Sequence, residues 1–94
     1  MRASATVDAR RRRERSAGQT LAEFSLALNE PRTAADWFER ATAAAPPSAS
    51  LLGRLADARW RAGQREFARR ALDQALEQDP ASPALRSLAS RLRE

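Results

Sequence analysis

At 94 residues the chain supports one domain, and a domain of this size has a thin core. It contains no Cys and no His, which excludes disulfide staples, zinc sites of ordinary composition and the usual nucleophile–base pairs. All 17 basic residues are Arg, and the formal charge of +5 is concentrated at the start: residues 1–19 hold six Arg against Asp8 and Glu14, whereas residues 20–94 hold eleven Arg against ten acids.

Residues 1–14 read as a basic N-terminal tail or as an extension of the first helix. Arg10, Arg11, Arg12, Arg13 and Arg15 are its densest charges, and by electrostatics alone they could dock on phosphates or on an acidic protein surface. No aromatic is interleaved for base stacking, so nucleic acid is disfavoured as a partner and a solvated, frayed tail is favoured. The first twenty residues lack the apolar run of a secretory signal, and no stretch is long enough for membrane insertion. A cytoplasmic protein is therefore expected, provided Met1 is the true start.

Breakers at Pro31, Pro46-Pro47, Gly63 and Pro80 with Pro83 leave windows of about 12–16 residues, which are helix lengths. With one Val, no Ile and four Thr, the chain has little material for strands. In the first window Ala17, Leu21, Phe24 and Leu28 share one helical face. A second helix, over residues 33–45, groups Ala34, Phe38 and Ala41, and its Trp37 and Phe38 read as core rather than as an aromatic site. The third, over 48–62, has Ser48 as N-cap and aligns Leu51 or Leu52 with Leu55 and with Ala56 or Ala58. The fourth, over 64–78, sets Ala68, Leu72 and Ala75 on one side. The fifth starts at Ser82-Pro83, an N-cap followed by Pro at the first helical position, and carries Ala84, Leu85, Leu88 and Leu92 opposite Arg86, Ser87 and Arg93.

A shift of 34 residues superposes Ser16 on Ser50, Leu21 on Leu55, Ala22 on Ala56, Ala34 on Ala68, Ala41 on Ala75, Pro46 on Pro80 and Ser48 on Ser82. Ala34, Phe38, Ala41 and Pro46 thus recur as Ala68, Leu72, Ala75 and Pro80. Small residues let helices approach, the large one fills the gap, and Pro ends the helix. Asn29 and Gly63, at the turn of each pair, are the residue types that best tolerate a left-handed backbone.

The Leu-Ala pairs at 21–22 and 55–56, and the run Ala75-Leu76-Glu77-Gln78-Asp79-Pro80, resemble the tetratricopeptide repeat (TPR) family. The resemblance implies an all-α, right-handed superhelix of antiparallel helix pairs, with repeats at about 15–48 and 49–82 and a capping helix at 83–94. Ser25 and Arg59 depart from the family's aromatic late in the first helix, and Pro31 and Arg65 from its aromatic after the turn.

The family's concave wall is built by the first helix of each pair, which here implies a partner-binding strip of Gln19, Glu23, Leu26 and Ala27, then Gly53, Asp57, Trp60 and Arg61. The family's carboxylate clamp is absent, because the matching places hold Gln19, Glu23, Gly53 and Asp57. Glu23 and Asp57 would favour a basic peptide, and Trp60 an apolar or cation–π anchor; the alternative is that these are solvated charges and a partly buried Trp. The resulting expectation is a non-enzymatic adaptor or scaffold that binds a protein or peptide, without cofactor or metal. The carboxylate pairs Glu23/Asp57 and Glu39/Asp73 follow from the repeat rather than from catalysis.

Two alternatives accompany this reading: binding through the Arg tail, and a role as the C-terminal segment of a larger TPR-containing protein. Two repeats and a cap also leave the first helix uncovered. Residues 7–15, a second copy of the chain, or upstream repeats could supply that cover.

Overall fold

The computed structural model describes residues 2–44 and 48–92, with side chains from residue 9 onward. Five helices follow one another: α1 (Arg2–Ala27), α2 (Pro31–Ala44), α3 (Ala49–Arg61), α4 (Arg65–Gln78) and α5 (Pro83–Arg91). No strand occurs among the described residues. α1 packs on α2 and α3 on α4, α2 joins the two pairs through α3, and α5 lies across α3 and α4. Short turns make the helices of each pair antiparallel, and the result is the all-α solenoid of stacked pairs expected from the repeat.

The turns are built alike. Asn29 takes φ 59° and Gly63 φ 82°, both left-handed. After α1, Glu30 N–H donates to the Ser25 carbonyl at 2.9 Å and Asn29 N–H to Leu26 at 3.0 Å; after α3, Gln64 N–H donates to Arg59 at 2.8 Å and Gly63 N–H to Trp60 at 3.0 Å. This pair of bonds satisfies the last carbonyls of each first helix and reverses the chain. Ser48 and Ser82 cap α3 and α5 as expected, their Oγ atoms accepting from Leu51 N–H at 3.1 Å and Leu85 N–H at 3.4 Å.

Phe38 is the largest fully buried side chain, in a core otherwise dominated by Ala and Leu. Ala34, Ala41, Leu51, Leu52, Leu55, Ala56, Ala58, Ala68, Leu72, Ala75, Leu85, Leu88 and Leu92 are all buried where the periodicity placed them. Trp37 and Trp60 pack against the edge of this core and remain half-exposed. Ala84, grouped with the apolar side of α5, is exposed, because the buried line of that helix is Leu85, Leu88 and Leu92.

The larger correction concerns α1. Leu21, Phe24 and Leu28 share a face, but they are 42%, 63% and 56% exposed, and Ala17 is exposed beside them. The buried side of α1 is instead Gly18, Ala22 and Ser25, which let α2 come close. A Cβ on Gly18 would stand 3.3 Å from both Ala41 Cβ and the Trp37 carbonyl. Ser25, where the family has an aromatic, is buried with its hydroxyl donating to the Leu21 carbonyl at 2.8 Å. The positions on α3 equivalent to Ala17, Leu21 and Phe24 are Leu51, Leu55 and Ala58, all buried inside the stack. The same face of α1 lies at the end of the stack.

Residues 2–14 are helical and continuous with the rest of α1. The extension prolongs the helix axis and does not fold back over the apolar stripe. The helix breaker Pro46-Pro47, the end of the second helix at Ala45, and Arg93 lie outside the described residues. Among the described residues, no helix is long and apolar enough to cross a membrane.

Candidate partner-binding surface

Arg54, Asp57 and Arg61 occupy positions i, i+3 and i+7 of α3, a spacing that puts all three on one face. Arg54 reaches across the repeat boundary and grips Glu23 of α1 with both arms of its guanidinium, Nε to Oε1 at 2.7 Å and Nη2 to Oε2 at 2.6 Å. Its Nη1 contacts Asp57 Oδ2 at 3.4 Å, and Arg61 Nε contacts Asp57 Oδ1 at 3.2 Å. The forked contact has the planar geometry that suits Arg to carboxylates. The Glu23 hydrogen bond, with the negative charges of Glu23 and Asp57, holds the Arg54 guanidinium above its already high pKa despite partial burial.

This ladder changes the meaning of the acidic strip. Glu23 and Asp57 do stand on one wall, but Arg54 and Arg61 already match their charges. Asp57 is 6% exposed and belongs to the framework as much as to the surface. Trp60 is half-exposed with the Arg65 guanidinium 4.8 Å over its ring, so a cation from the chain itself takes that face. Gln19, Ala27 and Arg61 are exposed, and Leu26 is half-buried against the core. Gln19 lines a shallow hollow of about 350 Å³ with Ser16, Thr20 and Glu23.

Gly53 is buried because α5 rests on it: a Cβ there would come within 2.7 Å of Leu85 Cδ2. Beside this contact a groove of about 240 Å³ opens between α3 and α5. Its apolar floor is Gly53, Leu85 and Leu88, and its polar rim includes Ser50, Arg54, Asp57, Asp79, Ser82 and Arg91. Sequence reasoning assigned no partner contact to α5 or Arg54. The Arg54–Asp57–Arg61 spacing was a readable signal; the packing of α5 against α3 had none beyond Gly53.

The basic segment does not form a one-sided face. Arg10 pairs with Glu14 at 3.2 Å, both well exposed. Arg11, Arg12 and Arg13 are exposed at successive positions, which a helix rotates by about 100° each, so their charges point around the axis.

Stacked helix pairs ending in a helix that supplies part of a mixed polar and apolar groove define a helical-repeat module. The family model for the tetratricopeptide repeat matches residues 25–92, and the chain belongs to that family. TPR domains generally mediate protein–protein interaction and are typically non-enzymatic. No curated protein and no solved structure matches the chain.

The ladder makes a measurable link between the repeats. Glu23 and Arg54 are 44% and 38% exposed, so solvent screens them, and the forked geometry favours the upper end of the range for such pairs. In a double-mutant cycle of Glu23→Ala and Arg54→Ala, urea unfolding is expected to give a coupling of about 1 kcal/mol that declines with added salt. A coupling indistinguishable from zero would show that the two repeats are held by apolar packing alone.

Proposed function

We propose that this TPR module binds a segment of a partner protein across the wall formed by α1, α3 and α5, anchored in the groove between α3 and α5. The observation that carries the reading is the groove itself, an apolar floor bounded by charges of both signs. An apolar side chain of the partner fills the floor, while the polar rim, Ser50 and Ser82 with Arg91 and Asp79, orients its backbone and flanking groups. Because Arg54 neutralises Glu23 and Asp57, selectivity for a purely basic peptide is weak. The exposed ends of the strip, Gln19, Ala27 and Arg61, supply peripheral contacts.

Peptides selected from a random display library on the full chain test this. Ser50 is an exposed groove residue, and Ser50→Arg fills the opening without touching the core. The variant is expected to weaken selected peptides at least about tenfold, or roughly 1.4 kcal/mol, with helix content unchanged. Undiminished binding to Ser50→Arg would place the partner elsewhere.

A further inference from the structure

Among the described residues four large hydrophobic side chains are exposed, and three of them, Leu21 and Phe24 on α1 and Leu28 just after its end, share one face. The fourth, Phe67, is flanked by Arg59 and Arg70 at 5.8 and 5.7 Å from its ring centre. Ala17 extends the α1 stripe, and Trp37 and Ala44 of α2 continue it across a shallow hollow lined with Gly18 and bounded by Glu14 and Arg40. A stripe of this kind on a chain so rich in charge marks a contact surface.

We infer that this face binds the same face of a second copy of the chain, with the two α1 helices packed antiparallel about a two-fold axis. The inference is independent of the partner groove, which lies between α3 and α5.

Three observations select that occupant. First, the opposite end of the stack is closed. α5 covers it with Leu85, Leu88 and Leu92 and turns Arg86, Ser87, Ser90 and Arg91 outward, so a head-to-tail stack would set the apolar stripe against a largely polar helix face. Pairing of the apolar end with its own kind is the arrangement that closes as a two-fold dimer.

Second, the stripe is its own complement. The steps from Ala17 to Leu21 to Phe24 to Leu28 are four, three and four residues, the same in either direction. Antiparallel pairing therefore puts Ala17 opposite Leu28 and Leu21 opposite Phe24, matching small with large at both ends. The same register brings Arg15 near the other copy's exposed Glu30, at the turn that follows α1. Charges of opposite sign thus meet beyond the apolar centre.

Third, the area suffices. The three large side chains leave on the order of 300 Å² per copy open to solvent. The pair would bury about 600 Å² from these side chains, and Ala17 with the edge of α2 adds to it, which is the size of a weak, transient interface. A contact of this size fits a reversible dimer rather than an obligate one.

Sedimentation equilibrium of the full chain over roughly 1–200 µM tests the dimer. The mean mass is expected to rise from one chain toward two, and Phe24→Glu, at an already exposed position, to remain monomeric with unchanged circular dichroism, a weakening of at least about 100-fold. A wild-type chain monomeric throughout would assign the stripe to another polypeptide. Mass growth beyond two copies would mean an open assembly, and a dimer insensitive to Phe24→Glu would mean a different interface; each overturns the proposal. The chain has no Cys, so single cysteines report the register. Ala17→Cys and Leu28→Cys chains, mixed and oxidised, are expected to form the mixed disulfide in excess over either homodimer. A preponderance of Ala17→Cys and Leu28→Cys homodimers would indicate parallel helices and refute the antiparallel arrangement.

Discussion

Phe38→Ala is expected to remove the cooperative unfolding transition of this protein or bring it to the edge of detection. The phenyl ring is fully buried in a core whose other members are mostly Ala and Leu. Ala22, Ala34, Ala41 and Ala56 have no side-chain length with which to fill the hole, so the site cannot collapse. Truncation of a buried Phe costs about 3–5 kcal/mol, and a domain with so thin a core has little more than about 5 kcal/mol in total. At the equivalent place in the second repeat, Leu72 is smaller and 6% exposed, and Leu72→Ala is expected to be the milder of the two. Urea titration followed by far-ultraviolet circular dichroism measures both. A loss below about 2 kcal/mol for Phe38→Ala would show that the two pairs close around the cavity, and that the join between α2 and α3 is softer than its packing suggests.

The order and character of the helices were legible because each rests on local chemistry. Ser48 and Ser82 cap, Pro83 starts, Asn29 and Gly63 turn, and the small-large-small spacing of the second helices recurs at 34 residues. What was not legible is which of two apolar lines on α1 faces inward. Leu21, Phe24 and Leu28 carry more hydrophobic surface than Gly18, Ala22 and Ser25, and a sequence pattern weighs surface. Packing in a helical solenoid weighs clearance instead, and the small residues win because α2 must approach within contact of Gly18. The wall residues were also identified without their neighbours. Glu23 and Asp57 stand 34 residues apart, and nothing local in the sequence links them, whereas Arg54 ties them together. That bridge spans 31 residues in sequence and exists only once the repeats stack.

Charge reversal at Asp57 is expected to unfold the chain rather than to report on partner binding. The side chain is 8% exposed and accepts from Arg54 on one oxygen and from Arg61 on the other. Asp57→Arg would place three guanidinium groups along two turns of α3, one of them in a nearly buried position with no carboxylate in reach on its own helix face. Breaking a buried pair in this way costs about 3–5 kcal/mol, because a desolvated charge is left without a partner. Asp57→Asn keeps a carbonyl oxygen to accept one bond and removes only the charge; about 1–2 kcal/mol is expected there. The comparison separates framework from surface. If Asp57→Arg retains stability within about 1 kcal/mol of the parent, the carboxylate is dispensable to the fold and free to meet a partner. If it unfolds while Ser50→Arg stays folded and loses peptide, the ladder belongs to the scaffold and the groove beside it to recognition, with Arg54 serving the first by tying α1 to α3 and the second as part of the groove's rim.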